Sequence, residues 1–244
     1  MLLAHVLFIT ENADAADMFV NAEESLEWNQ KEAFYQARGA AHAYQGEQEI
    51  FADDLTAFYD AEKAGRTITK INAVGNVRFS DAAHKGSGSR LNYDVALQDY
   101  LLTGPDARID GPDGRARAQK EIHFQRSQNL VNLYQKAEIN LADGRILTGD
   151  YITLYLSEED NINKITAKGS VTVIQASGSR ASADEMLYNR NDNNAILLGN
   201  VTIFDKDNQL SGDKAEIDFA TGVSRMLATK KGGRVSGRFT GTEQ

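Results

Sequence analysis

Residues able to act as acids, bases, nucleophiles or ligands fall into few recognisable patterns in this 244-residue chain. The four histidines, His5, His42, His84 and His123, have neither metal-ligand spacing nor a nucleophile motif beside them, so neither a zinc centre nor a Ser-His-Asp arrangement is expected. Cysteine is absent, which removes disulfides, thiolate nucleophiles and thiolate metal sites. Gly86-Ser87-Gly88 and Gly232-Gly233 lack the strand-to-helix setting of a phosphate loop and imply no nucleotide. Only the acidic series Asp54, Asp150, Asp184 and Asp213 is regular enough to suggest chemistry, as paired carboxylates or calcium ligands. Each falls alone, once per repeat, where a strand pattern begins, so hydrogen bonding in turns is the expected role. An enzyme, a metal site and a cofactor are therefore not expected.

The formal charge of -9 opposes attraction to nucleic-acid phosphates, so nucleic acid is not an expected partner. Two prolines, twenty glycines and 41% hydrophobic residues describe a chain that folds throughout.

The elements that would position any site come from an internal repeat. A first motif starts at an acidic or small residue and places apolar side chains two and four positions on: Glu24, Leu26, Trp28; Asp54, Thr56, Phe58; Ser89, Leu91, Tyr93. It continues through Ala118, Lys120, Ile122; Asp150, Ile152, Leu154; Asp184, Met186, Tyr188; and Asp213, Ala215, Ile217. A second motif alternates with it and is clearest at residues 71–79, 165–173 and 197–203, with equivalent positions at Ala41, Val77, Ala107, Ile139, Val171, Val201 and Val235.

Strict alternation points Ile71, Ala73, Gly75, Val77 and Phe79 to one face and Asn72, Asn76 and Arg78 to the other. Seven two-strand units predict about fourteen antiparallel strands, wet on one side. Helix signals are nearly absent, and even residues 22–38 fit the first two strands. A seven-bladed propeller would need four strands per unit of ~40 to 45 residues, which leaves a long jelly roll or a β-solenoid. Residues 1–18, an apolar run followed by small residues, read as the remnant of a signal peptide or a disordered leader, and 19–240 as one domain.

Ser182-Ala-Asp-Glu-Met-Leu-Tyr188 with Gly199-Asn-Val201, Ser211-Gly-Asp213 with Ile217, and Thr148-Gly-Asp150 with Gly169-Ser-Val171 carry a family likeness. This pattern resembles the OstA-like repeats of lipopolysaccharide-transport proteins, closest to the LptA-type periplasmic bridge, over roughly residues 19 to 239. The pattern is broken at Ala118 and Lys120 and lengthened at residues 61–70 and 81–88.

The resemblance implies an all-β, single open antiparallel β-jelly roll of about fourteen strands in seven repeats. It also implies a periplasmic protein that shelters lipopolysaccharide acyl chains in an apolar trough and passes the lipid from inner to outer membrane. The implied partners are lipopolysaccharide through its lipid A, fold-sharing inner- and outer-membrane transport components, and further copies of the chain head to tail. Trough candidates are Trp28, Phe58, Val77, Phe79, Tyr93, Ile139, Leu154, Val171, Met186, Tyr188, Val201, Ile203 and Ile217. A sandwich that merely closes on itself would use most of the same side chains as plain core. The alternative function is a β-solenoid scaffold, adhesin or polysaccharide-processing protein without lipid transport. Lys230, Lys231, Arg234 and Arg238 gather positive charge near the end of an acidic chain, protecting a strand edge or meeting lipid phosphates or a partner.

Overall fold

Alternating apolar and polar side chains bury one face of an extended chain and wet the other. In the computed structural model the protein realises this pattern throughout the described residues. The structure describes residues 18–62, 66–158, 161–229 and 234–240. The leader expected at 1–18, but for Met18, lies outside them, as do Lys230, Lys231 and Gly232-Gly233.

Eighteen strands follow in order: β1 (Phe19–Asn21), β2 (Ser25–Asn29), β3 (Phe34–Gln45), β4 (Gln48–Tyr59), β5 (Ile68–Ser80), β6 (Lys85–Asp94), β7 (Asp99–Thr103), β8 (Ala107–Gly111) and β9 (Gly114–Ala118). Then come β10 (Glu121–Gln125), β11 (Leu130–Leu141), β12 (Ile146–Leu156), β13 (Ile162–Ile174), β14 (Arg180–Asn189), β15 (Asn194–Asp205), β16 (Asn208–Asp218), β17 (Ser224–Leu227) and β18 (Ser236–Arg238). No α-helix occurs among the described residues.

The eighteen segments make fourteen traverses of the sheet, because four traverses are each broken in two. β1 and β2 both pair with β3, β7 and β8 both with β6, β9 and β10 both with β11, and β17 and β18 both with β16. The expected count of fourteen thus holds for traverses. The larger number reflects mid-strand breaks, at Gly104-Pro105-Asp106 and at Gln119-Lys120 for example. Lys120, where the repeat departs from its pattern, sits at such a break.

Each traverse pairs antiparallel with its neighbours in sequence, a plain meander. A β-solenoid would stack successive coils in parallel, so the open jelly roll is the architecture realised. Among the described residues the first and last traverses are paired along one side only.

A line of irregularity crosses the sheet at mid-strand and divides it into a near half, holding β2, β7, β10 and β17, and a far half, holding β1, β8, β9 and β18. On one set of traverses two successive residues take left-handed φ: Gly75 and Asn76 at 77° and 44°, Gly169 and Ser170 at 73° and 50°, Gly199 and Asn200 at 74° and 47°. Gly39-Ala40 and Gln135-Lys136 repeat the pattern on β3 and β11. Each pair stands opposite a single residue of the neighbouring strand, a bulge of two against one.

Asp53 faces the Gly75 bulge, Asp150 that of Gly169 and Asp184 that of Gly199, each filling the space above its glycine so that a Cβ there would collide with the carboxylate. Asn76 Nδ2 donates to both oxygens of Asp53 at 3.0 Å, and Asn200 Nδ2 donates to Asp184 Oδ2 at 2.8 Å.

The acidic series therefore does not sit in turns at strand starts, as its position in the repeat suggested. Asp150, Asp184 and Asp213 lie inside β12, β14 and β16, because the chain runs straight through the motif. In β4 the clamp is Asp53, while Asp54 lies 4.0 Å from Arg38. Asp213 Oδ2 accepts from the Thr229 N–H and Oγ at 3.3 and 3.4 Å, tying the last traverse to the sheet.

Replacing Gly199 by valine, which forces a β-branched residue into left-handed φ against Asp184, is expected to cost about 2 kcal/mol or more in urea unfolding. Gly178→Ala, at φ 91° in an open turn with nothing near its Cβ position, should cost only about 1 kcal/mol.

Candidate functional site

Cross-strand partners in an antiparallel sheet share a face, so each inner residue has inner neighbours on both sides. Followed across the sheet, one row next to the crease in the near half reads Leu26, Ala37, Leu55, Ala73, Leu91, Leu102, Ile122, Leu133, Ile152, Ala167, Met186, Leu197, Ala215 and Met226. One residue comes from every traverse, and all are apolar.

The next row outward in the near half runs from Trp28 and Tyr35 through Ala57, Ile71, Tyr93, Tyr100, Phe124, Val131, Leu154, Ile165 and Tyr188 to Ala195, Ile217 and Ser224. In the far half a third row passes through Val20, Ala43, Ile50, Phe79 and Gly86, then Ile109, Ala116, Ile139 and Leu147. It ends on Val173, Ala181, Ile203, Leu210 and Gly237.

Beside the crease itself the pairs are Ala41 with Ala52, Val77 with Gly88, Ala107 with Ala118, Ala137 with Gly149, Val171 with Ala183 and Val201 with Gly212. These positions beside the crease hold only Ala, Gly and Val, whereas the rings of Trp28, Tyr35, Tyr93, Tyr100, Phe124 and Tyr188 gather in the near-half row farthest from it. That gradient is the cross-section of a V: halves meeting at an apex leave room only for small residues, and large ones fill the widening interior. Both halves contribute to one continuous core.

Twelve of the thirteen trough candidates lie on this inner face. Val77, Phe79, Tyr93, Ile139, Leu154, Val171, Met186, Val201, Ile203 and Ile217 are buried in the shared core, and Tyr188 is half-buried at its near rim. Trp28 projects from the edge traverse with 45% of its surface exposed, and Leu26 beside it is 62% exposed.

The thirteenth, Phe58, is on the other face. It pairs with Phe34 and Lys70, and its ring meets Phe34 edge to face at 6.0 Å on the outer surface. The repeat in β4 starts at Asp53 rather than Asp54, and a slip of one residue inverts every side chain. Leu55, Ala57 and Tyr59 take the inner positions instead, with the Trp28 Nε1–H donating to Tyr59 Oη at 2.9 Å.

The same two-residue rule, applied from Asp53 and Lys120, would have added Leu55, Ala57, Ile122 and Phe124 from sequence. Tyr100 is buried on the inner row with its ring stacked 4.9 Å from Phe124. Desolvation, with a smaller contribution from Asp94, pushes the Tyr93 phenol upward, so it stays protonated in this row.

One side chain reaches from one half to the other and was invisible to the repeat. Arg145 follows the β11–β12 turn at the far rim. Its Cζ lies 6.0 Å from the ring centroid of Tyr188 and 5.5 Å from that of Phe219, both at the near rim. Asp143 holds the guanidinium, accepting from Arg145 Nε at 2.8 Å and lying 2.7 Å from Nη2. Hydrogen bonding from the Arg145 side chain, ahead of smaller backbone and charge effects, lowers the Asp143 carboxyl below its usual range despite some burial.

A cavity of about 520 Å³ lies away from the V, at the crease, lined by Asn76, Arg78, Ser87, Ser89, Pro105 and Asp106 among others. Among the described residues no group of three or more His, Asp or Glu side chains could hold a metal ion.

Leu133→Ala, on the innermost near-half row, should lose ~2–5 kcal/mol in urea unfolding, against about 1 kcal/mol for Phe58→Ala on the outer face. Equal losses would contradict the register. Because the Asp143 pKa is lowered by folding, its contribution is present above the ordinary carboxylate range and is lost as pH falls through the folded value. The melting difference between the wild type and Asp143→Asn should be small, under about 1 kcal/mol after solvent screening, constant from about pH 5 to 8, and gone in stronger acid.

A family model described as LptA/(LptD N-terminal domain) LPS transport protein matches residues 20–129 and 142–223. No curated protein sequence matches the chain. Among solved structures the chain is similar to the crystal structure of LptH, the LptA homologous periplasmic component of the lipopolysaccharide transport device from Pseudomonas aeruginosa. The identity is 17%, the coverage 64% of this chain and 84% of that one, and the TM-score 0.28.

Proposed function

The chain belongs to the family of LptA and LptD N-terminal-domain lipopolysaccharide-transport proteins, and on that premise we propose that it is a periplasmic bridge whose V-shaped interior shelters the acyl chains of lipopolysaccharide between the inner and outer membranes. The observation that carries this reading is the continuity of the near-half row beside the crease, where an apolar side chain stands in every one of the fourteen traverses, together with apolar side chains left exposed at the two end traverses. Leu26 and Trp28 mark one end. Val235 and Phe239, each two residues from Gly237 where it faces Leu210 and 48% and 72% exposed, mark the other. A closed core would have no reason to run out at both edges.

The thermodynamics require no catalyst, since each methylene taken out of water is worth ~0.8 kcal/mol. The inner rows already pack against one another, so acyl chains enter by parting the two halves about the crease. The protein then exchanges one apolar contact for another, and the net gain is the desolvation of the lipid itself. Twelve trough candidates, all but Phe58, are the proposed lining.

At the two ends, unpaired strand edges and uncovered apolar rows lie together. Strand addition there would join copies head to tail, or dock the chain to fold-sharing membrane components, and continue the trough across the junction.

The test is to isolate the protein from the periplasm of Gram-negative cells and identify bound lipid by mass, with photo-cross-linking side chains at Trp28, Tyr188 and, as an outer-face control, Phe58. Lipid A adducts are expected at the first two positions and not at the third. Repeated isolation free of lipid, or equal labelling at all three, would overturn the proposal.

A further inference from the structure

The V has one long mouth, between the far-rim turns and the near-rim turns, and Arg145 spans it. Positions 145, 147 and 149 alternate onto the same side, so Arg145 belongs to the inner face at the far rim. Tyr188 and Phe219 pack against the core at the near rim and meet edge to face at 5.9 Å. The guanidinium lies within cation–π range of both rings and is held from its own side by Asp143. It is half-buried, as a charge bridging two walls should be.

We infer that Arg145 is a clasp across the mouth of the trough, released when its guanidinium passes to a phosphoryl group on an amphiphile whose chains lie inside. The inference rests on the trough reading proposed above. An amphiphile with buried chains and a solvated head must carry that head along the mouth, and a side chain lying across the mouth stands in its path. The hold on the far rim is Asp143, while the hold on the near rim is two aromatic rings, which the guanidinium leaves for a stronger partner. A phosphate accepts bidentate, charge-assisted hydrogen bonds from the planar guanidinium fork, which a ring cannot. Arg190, exposed and two residues beyond Tyr188, adds a second guanidinium to the near rim. The clasp therefore both closes the mouth and selects for a phosphorylated head.

The experiment uses the purified full chain and measures capture rate and affinity for detergent-dispersed bisphosphorylated lipid A, the same lipid with its phosphates removed, and inorganic phosphate alone. Wild type should prefer the phosphorylated lipid by about ten-fold, the scale of one charge-assisted hydrogen bond. Arg145→Ala should bring that ratio close to one while capturing the dephosphorylated lipid faster. Arg145→Gln, which keeps length and a donor for Asp143 but loses the charge, should do the same should the alanine variant fold poorly. Lys168→Ala makes the same charge change on the outer face and should behave as wild type.

An unchanged ratio in both Arg145 variants overturns the clasp while leaving the trough intact. Inorganic phosphate at millimolar concentration that speeds capture of the dephosphorylated lipid as fully as the lipid's own phosphates overturns the head-group assignment in favour of a free-anion site. Failure of wild type to bind either lipid overturns the trough reading and the clasp with it.

Discussion

Every long traverse of this sheet has to change direction at its midpoint while keeping its partners on both sides, and ordinary pleated geometry does not allow that. The chain meets the constraint by counting two residues against one along a single line. Gly75-Asn76, Gly169-Ser170 and Gly199-Asn200 supply the extra residue in left-handed φ, and Asp53, Asp150 and Asp184 lock the space above each glycine. Aligning these bulges puts all the bends on one crease. Once the crease is straight, the apex row must be small, the rows beyond it can be large, and the two halves face each other as the walls of one V. The inner surface, its continuity and its mouth all follow from that one alignment.

Much of this was legible in the repeat, because period-two alternation is a direct record of which face is buried. The strand order, the fourteen traverses and twelve of thirteen inner positions come from it. Phe58 falls outside the inner face, against the repeat, because β4 carries two adjacent aspartates, and nothing local distinguishes the one that clamps the bulge from the one beside it. The acidic series suggests turn chemistry because glycine, asparagine and aspartate are the residues of turns. Here they bend a strand in mid-course, using the same tolerance of left-handed φ for another purpose. Arg145 left no trace in the pattern, since a contact between rims 43 residues from Tyr188 in the chain depends on the closed V and on no repeat position.

The crease also sets where the molecule can yield. Hydrogen bonding is continuous within each half and interrupted between them, so a change in the angle of the V strains the bulges while leaving the ladders whole. The apex is wedged by the smallest residues, whose contacts change least as the halves part. The mouth, with its large rings and its arginine, changes most. Stiff walls on a compliant line are what the proposed trough would need, an apolar interior that is closed when the walls meet and that opens about the crease.

The meander gives the molecule a property of a different kind, a ruler. Because each traverse pairs only with its neighbours in the chain, length along the trough is counted in strands, at ~4.8 Å apiece, so fourteen of them span on the order of 60 Å. Adding or deleting one two-strand unit would change that span by roughly 10 Å without altering the cross-section, the crease or the side chains that line it. The length of such a body is thus written in repeat number alone, a quantity that gene duplication can tune in discrete steps while the inner face stays the same.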